Sequence, residues 1–297
     1  MTHIPVLIKE VIKYLDPKPN ENFIDCTIGQ GGHAKLILEK TLPEGKVLGI
    51  DADSRQIENS KLQLENFKER IILVNDSYSN LKDIIEKANF EPINGILLDL
   101  GMSSEQLEES KRGFSFQKDE MLDMRYYDKN QNELTAEKII NEWKQADIEE
   151  ILKEYGEERF SRQIANKIVE ERKVKEIKNT FQLVEVIKKA VPVKFQFGRI
   201  HCATRVFQAL RIAVNDELNN LTKVLPQIIS VLSPGGRIAI ISFHSLEDRI
   251  VKNFFKEKDK DKVIKILTKK SITADFEELR ENHRSRSAKL RAVIKIT

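Results

Sequence analysis

Apolar and polar positions divide the chain into three stretches with different rhythms. Up to about residue 104, short apolar runs alternate with amphipathic segments. Phe23–Cys26, Lys46–Ile50, Arg70–Val74 and Gly95–Leu100 read as strands. Between them, helices are predicted from about Gly32 to Leu42, over Ser54–Phe67 (with Ile57, Leu64 and Phe67 among the apolar positions) and over Leu81–Ala88. Strands that alternate with helices in this way imply a parallel sheet covered on both faces.

The rhythm then changes. From Glu105 to Val214 no strand pattern stands out. Residues 105–133 are polar and irregular, and helical patterns follow. One places Phe160, Ile164 and Ile168 on a single face, and another near Cys202–Val214 stacks Ala203, Val206, Leu210 and Ala213. Alternation then resumes. Asp216–Leu232 reads as a helix, with Pro226 predicting a kink or a break. A Ser233-Pro-Gly-Gly236 turn leads to a strand over Arg237–Phe243, a helix from about Leu246 and a last strand over Leu290–Ile296. The fold class expected is α/β, a Rossmann-like doubly wound, mostly parallel sheet with an inserted helical domain. The sheet domain is discontinuous, 1–104 and 215–297, and the insertion covers 105–214. In open α/β sheets, ligands sit beyond the carboxyl ends of the strands. An insertion springing from the fourth strand is expected to hang over that crevice.

The first strand runs into Asp25-Cys-Thr-Ile-Gly-Gln-Gly-Gly-His33. Glycines let a backbone approach a ligand closely, and the helix that follows presents N–H groups able to receive a carboxylate. Asp51 lies about 22 residues after Gly29, the interval at which such folds place a carboxylate on a ribose hydroxyl. The turn lacks G-x-G-x-x-G, which points away from a dinucleotide and towards a nucleoside carried on an amino acid, as in S-adenosylmethionine. A glycine turn needed only for strand–helix packing is the bland alternative, and the spacing to Asp51 weighs against it. After the third strand, Tyr78 offers a stacking face for adenine and Asp76 an acceptor for its amine, though either suits a surface loop.

Asp99-Leu-Gly-Met ends the fourth strand, where a carboxylate faces the reacting centre. An exocyclic base amine is a poor nucleophile because its lone pair is delocalised into the ring. An acceptor on its N–H helps localise that pair and take the proton. Asp99 is the catalytic candidate; Ser104, Ser242 and a backbone carbonyl are alternative proton acceptors. Phe114, Phe116 and Phe243 are candidates to stack on a flipped base, or else core residues. Arg112, Arg125, Arg199, Arg205 and Arg249 suit phosphates, or else a solvated surface. After Glu281 the tail carries Arg284, Arg286, Lys289, Arg291 and Lys295 with no acid; a solvated surface is the usual reading of such a run, and Arg284 and Arg286 are candidates for nucleic-acid phosphates. The overall net charge of +3 is too small to argue for nucleic acid by itself. His33, His201 and His244 show no metal-ligand spacing, so no metal is expected. Two distant cysteines, Cys26 and Cys202, suit a reducing cytoplasm, and no signal or membrane-spanning run is visible. The expected location is cytoplasmic, without membrane partners.

Together these segments resemble the bacterial small-subunit ribosomal RNA cytosine-N4 methyltransferases, the RsmH or MraW family. The matching pieces include His3-Ile-Pro-Val-Leu7, Asp25–His33, Leu97-Leu-Asp-Leu-Gly101, Ser103-Ser-x-Gln-Leu107, Arg112-Gly-Phe-Ser-Phe116 and Leu122-Asp-Met-Arg125. They continue through Arg205–Ile212, Ile241–Arg249 and Arg284–Leu290, in the family's order. The resemblance implies a class I S-adenosylmethionine methyltransferase fold and a helical substrate-recognition insertion. It implies methyl transfer to N4 of a decoding-site cytidine in 16S rRNA of the small ribosomal subunit. It implies cofactor contacts from Gly31, Gly32, His33, Asp51, Tyr78, Asp99 and Gln106. Cys202 stands where the family usually has proline, and Tyr78 where phenylalanine is common. A homodimer stays open, since an exposed apolar face on the insertion could pair with itself. Transfer to DNA or protein, a non-enzymatic RNA-binding assembly factor and, last, a NAD-dependent oxidoreductase are the competing readings.

Overall fold

A computed structural model describes residues 4–126, 133–198 and 200–296, all but 104 and 108 with their side chains. His3 of the first motif and Arg199 lie outside the described residues. The chain divides into two compact units, Met1–Gly101 with Leu218–Thr297, and Met102–Glu217.

The first unit is built on seven strands: β1 (Phe23–Asp25), β2 (Val47–Asp51), β3 (Ile71–Asn75), β4 (Gly95–Asp99), β5 (Arg237–Ser242), β6 (Ile264–Ile266) and β7 (Lys289–Lys295). Their order is β3-β2-β1-β4-β5-β7-β6. The pairs from β3 through β5 are parallel, and β7 runs antiparallel to both β5 and β6. The order reverses direction between β1 and β4, so the crevice typical of such sheets opens beyond their carboxyl ends.

Alternate residues of each strand feed opposite cores, the two-residue period of a sheet covered on both faces. Ile24, Leu48, Ile96, Leu98, Ile238 and Ile240 pack with helices Leu81–Ala88, Glu217–Val231 and Ser245–Lys260. Phe23, Val47, Leu97, Ala239 and Ile241 pack on the other face with helices Ile8–Leu15 and Gly32–Lys40. The predicted break at Pro226 is not found: one helix spans Glu217–Val231 with the proline inside it. Interior proline costs about 3 kcal/mol. Burying Leu221, Val224, Leu225 and Ile228 at about 1.5–3 kcal/mol each outweighs that.

The second unit has its own core. Helices Ala136–Glu142, Gln145–Glu154, Ser161–Val174, Thr180–Ala190 and Thr204–Asn215 bury Ile139, Leu152, Ile164, Leu183, Ile187 and Leu210 among themselves. Phe160 precedes its helix instead of lying within it. Among the described residues this unit holds only isolated β-bridges, Met121 with Asn179 and Phe197 with His201. No helix of the described residues is long and apolar enough to cross a membrane.

Candidate active site

The carboxyl ends of β1, β2 and β4 bring Asp25, Asp51 and Asp99 to one end of the sheet. Between β1 and helix Gly32–Lys40 the chain turns through Gly29 and Gly31, both in the left-handed region at φ 50° and 79°. A Cβ on Gly31 would come within 2.9 Å of Leu64 Cδ1, and one on Gly32 would run into Pro5. No side chain caps the helix at Gly31, and a helix start is a favourable place for an anion.

Asp51 fastens this turn to β2. Its Oδ2 accepts the Gly29 amide at 3.0 Å and its Oδ1 the Asp53 amide at 2.9 Å. An ionised carboxylate has further acceptor positions, enough to receive ribose hydroxyls as well. Tyr78 begins a short 3₁₀ turn after β3, half-buried against the core. Asp76 is engaged locally, accepting from the Ser77 amide at 2.6 Å and from Asn80 Nδ2 at 2.8 Å.

Asp99 is held from behind: its amide donates to Thr27 Oγ1 at 2.7 Å. Its side chain keeps 19% of its surface exposed, with Oδ2 3.9 Å from His33 Nδ1. Its Oδ1 is buried with no hydrogen-bond partner among the described residues. Burial pushes the carboxyl up to about 7, which the Gly101 amide opposes and Glu247 reinforces. Asp25 is 1% exposed. Burial raises it to about 8 against the Thr27 amide, with the charges of Asp99 and Asp51 adding to the rise. His33 Nε2 lies 2.9 Å from the Val6 carbonyl. A carbonyl only accepts, so Nε2 carries the proton in that contact. Together these groups form an acidic recess that by itself resists full ionisation. It suits a positively charged ligand.

Phe243, just past β5, borders the same recess. A Cβ on Gly101 would come within 2.6 Å of its ring, so only glycine lets the half-exposed ring lie there. Its amide donates to buried Glu247 at 2.8 Å. Ser242 is 2% exposed, and its hydroxyl is directed to the Lys289 carbonyl at 3.3 Å. His244 caps helix Ser245–Lys260 in a capping box with Glu247. Arg249 lies exposed on that helix; Arg286 is exposed and Arg284 half-buried in the tail.

The helical unit holds the remaining candidates. Gln106 accepts the Ser103 amide at 3.0 Å in a capping box. Arg112 Nη1 donates to the carbonyls of Arg125 and Tyr126 at 3.0 and 3.2 Å. Arg125 is buried and forms a two-pronged pair with Asp123, Nε to Oδ1 at 2.6 Å and Nη2 to Oδ2 at 2.8 Å. Phe114 is buried and stacked on Tyr126 at 5.4 Å. Phe116 stacks on His201 at 4.8 Å and meets Phe207 edge-on at 5.4 Å. Arg205 reaches the Glu157 carbonyl at 3.1 Å. Cys202 precedes helix Thr204–Asn215, whose start is held by the Ala203 amide donating to His201 Nδ1 at 3.2 Å.

Sequence reasoning assigned no task to Asp25 or to the N-terminal segment. Pro5 and Val6 bear on Gly32 and His33, and the Leu7 amide donates to Glu278 Oε1 at 2.7 Å. Asp25 carried one signal, a carboxylate closing an apolar strand at the switch point. The N-terminal segment carried only its place in the family resemblance, through His3-Ile-Pro-Val-Leu7.

The chain is similar to proteins named Ribosomal RNA small subunit methyltransferase H. It is 44% identical to that of Heliobacterium mobile over 310 residues, covering 99% of both chains. It is 45% identical to that of Clostridium botulinum (strain 657 / Type Ba4) over 309 residues, again covering 99% of each. Among solved structures, an rRNA methylase of Streptococcus thermophilus superposes with a TM-score of 0.46 at 11% identity, covering 100% of both chains. The sequence description of the MraW methylase family matches residues 1–296, and the chain belongs to that family.

Proposed function

We propose that the protein transfers a methyl group from S-adenosylmethionine to the N4 amine of a decoding-site cytidine in the 16S rRNA of the small ribosomal subunit. Membership of the methylase family and relatives named as small-subunit rRNA methyltransferases support the reaction class and the substrate. The observation that carries the chemistry is the part-exposed carboxyl of Asp99 at the end of β4, raised to about 7 by burial.

S-adenosylmethionine supplies a methyl group already activated on a sulfonium. Gly31, Gly32 and the uncapped helix start receive its carboxylate, Asp51 its ribose hydroxyls and Tyr78 the face of its adenine. Gln106 is a further contact. The acidic recess of Asp25 and Asp99 favours its positive charge over the neutral product. On the acceptor side, the exposed part of the Asp99 carboxylate takes a hydrogen bond from the N4 amine, which restores electron density to nitrogen. With its carboxyl near 7, Asp99 also accepts the released proton at neutral pH. Phe243 supplies the stacking face for a base turned out of its helix. The unit over Met102–Glu217 serves as the substrate-recognition insertion.

The test is nucleoside mass spectrometry of small-subunit rRNA from cells lacking the gene. N4-methylcytidine at the decoding site should disappear, and an unchanged signal refutes the assignment.

A further inference from the structure

The sheet unit holds a second cleft of about 860 Å³, between helix Ser245–Lys260 and residues 264–271. Six cations line it, Lys252, Lys256, Lys265, Lys269, Lys270 and Arg291, against one acid, Asp259. The whole chain carries a net +3, so this concentration is not background. It is neutralised only in part. Asp259 Oδ1 accepts the Ile266 amide at 3.0 Å, and Arg291 is held by Asp248 at 2.7 Å. The neighbouring acids Glu257 and Asp261 pair with Lys258, at 2.7 and 3.4 Å. The five lysines have no ion pair among the described residues. Phe255 and Thr268 form a buried floor at 3% and 4% exposure, so the charged ends stand around its rim.

Sheet register relates the cleft to the reacting centre. Asp99 pairs with Ile241, Ile241 with Leu290, and Leu290 with Ile272, next to the cleft residue Ser271. Three strand steps at ~4.8 Å each put that end of the cleft level with Asp99 and about 14 Å away. A nucleic-acid strand whose base occupied the Asp99 recess would cross this distance within a few nucleotides.

We propose that this cleft cradles the phosphate backbone of the RNA strand flanking the target nucleotide, an inference that rests on the rRNA methyltransferase reading. Lysines are point charges on flexible stems, suited to follow a backbone without reading bases. The volume exceeds one phosphate and accommodates an extended polyanion. A concave cleft fits a strand better than a lipid surface.

The test uses the full-length protein with Lys256→Gln, Lys265→Gln and Lys269→Gln combined. S-adenosylmethionine affinity and Tm should match the wild type, showing that fold and donor site are intact. The probe is a labelled RNA hairpin carrying the decoding-site cytidine. Its Kd should rise about tenfold or more at 0.1 M salt, and the slope of log K against log salt should shrink by about 3, close to one for each phosphate no longer neutralised by a lysine. Turnover on small subunits should show a raised KM with kcat retained, the mark of weakened uniform binding. An unchanged Kd and salt slope in a protein whose wild type methylates the cytidine overturns the cleft and leaves the function standing. A wild type that fails to methylate rRNA overturns the function, and the inference with it. If polyglutamate displaces the RNA from wild type as well as unlabelled RNA does, the cleft is a site for acidic polypeptide and the proposal fails.

Discussion

The glycine turn of the sheet unit and the Arg112–Arg125 segment of the helical unit look equally like binding motifs in sequence, yet their polar groups end differently. At the turn, backbone amides and Asp51 build a frame, and Asp99 Oδ1 is left buried without a partner. In the helical segment, donors are directed inward. Arg112 holds two carbonyls, Arg125 grips Asp123, and Asn215 binds the Met124 carbonyl at 2.7 Å and the Tyr126 amide at 2.8 Å. A buried polar atom without a partner is costly, and a ligand that satisfies it removes the cost. The contrast teaches that residue type marks a site less reliably than the direction in which its polar groups are held.

The strongest way to break this contrast is at Asp99. Asp99→Asn preserves shape but removes the proton acceptor. Its kcat should fall on the order of a hundredfold to a thousandfold with Tm preserved. Near-normal turnover in single-turnover assays would assign the proton elsewhere. Asp51→Ala comes next. It removes ribose acceptors and the anchor of the Gly29 amide, so donor affinity by calorimetry should drop by about 2–4 kcal/mol. An affinity within threefold of wild type would mean Asp51 only shapes the turn.

Arg125→Ala sharpens the other side. It strands Asp123 and should cost about 2–4 kcal/mol of stability by thermal or denaturant unfolding. Unchanged stability with weakened RNA binding would instead make the segment a recognition element whose inward pairs are incidental.

A further test lies in pH dependence. Asp25 has a folded value of about 8 against 3.8 for the free group. A carboxyl raised by folding binds its proton more tightly in the native state. Its contribution to stability is therefore fully present at low pH and is lost as pH rises from about 4 to 8. Asp25→Asn should flatten that decline in the cofactor-free protein, with Tm gained at pH 8.5 and little changed at pH 4. Parallel Tm–pH curves for variant and wild type would show that Asp25 does not titrate there. Donor affinity has the opposite sign. A cationic donor favours ionised Asp99, so binding should weaken as pH falls below about 7.

Much of the fold was legible because strands buried on both faces read as plain apolar runs, as β1, β2, β4 and β5 do, while β3 and β7 are less buried but keep enough apolar residues to be read. Strand β6 was not, since it has three residues and only Ile264 is buried. Helix Ile8–Leu15 was hidden because Lys9, Glu10 and Lys13 interrupt an apolar run, although they leave Val11 and Leu15 on one buried stripe. At the site, Asp51 and Asp99 were visible through spacing and strand ends. The raised values of Asp25 and Asp99 were not, because burial and mutual repulsion exist only after the strands align. Charge was an ambiguous signal. The basic tail suited a solvated surface or a nucleic acid, and in the fold Lys295 Nζ donates to the carbonyls of Ile229 and Leu232 at 2.9 and 2.7 Å while Arg291 pairs with Asp248. The lysines of the second cleft are scattered between acids in sequence and meet only where β6 pairs with β7.

The most direct measurement is in vitro. Small ribosomal subunits from cells lacking the gene are incubated with the purified protein and isotopically labelled S-adenosylmethionine, and their rRNA is mapped by nuclease digestion and mass spectrometry. The account predicts label in N4-methylcytidine at one decoding-site position. Label on another atom or another nucleotide, or none in subunits that are competent substrates, would contradict it.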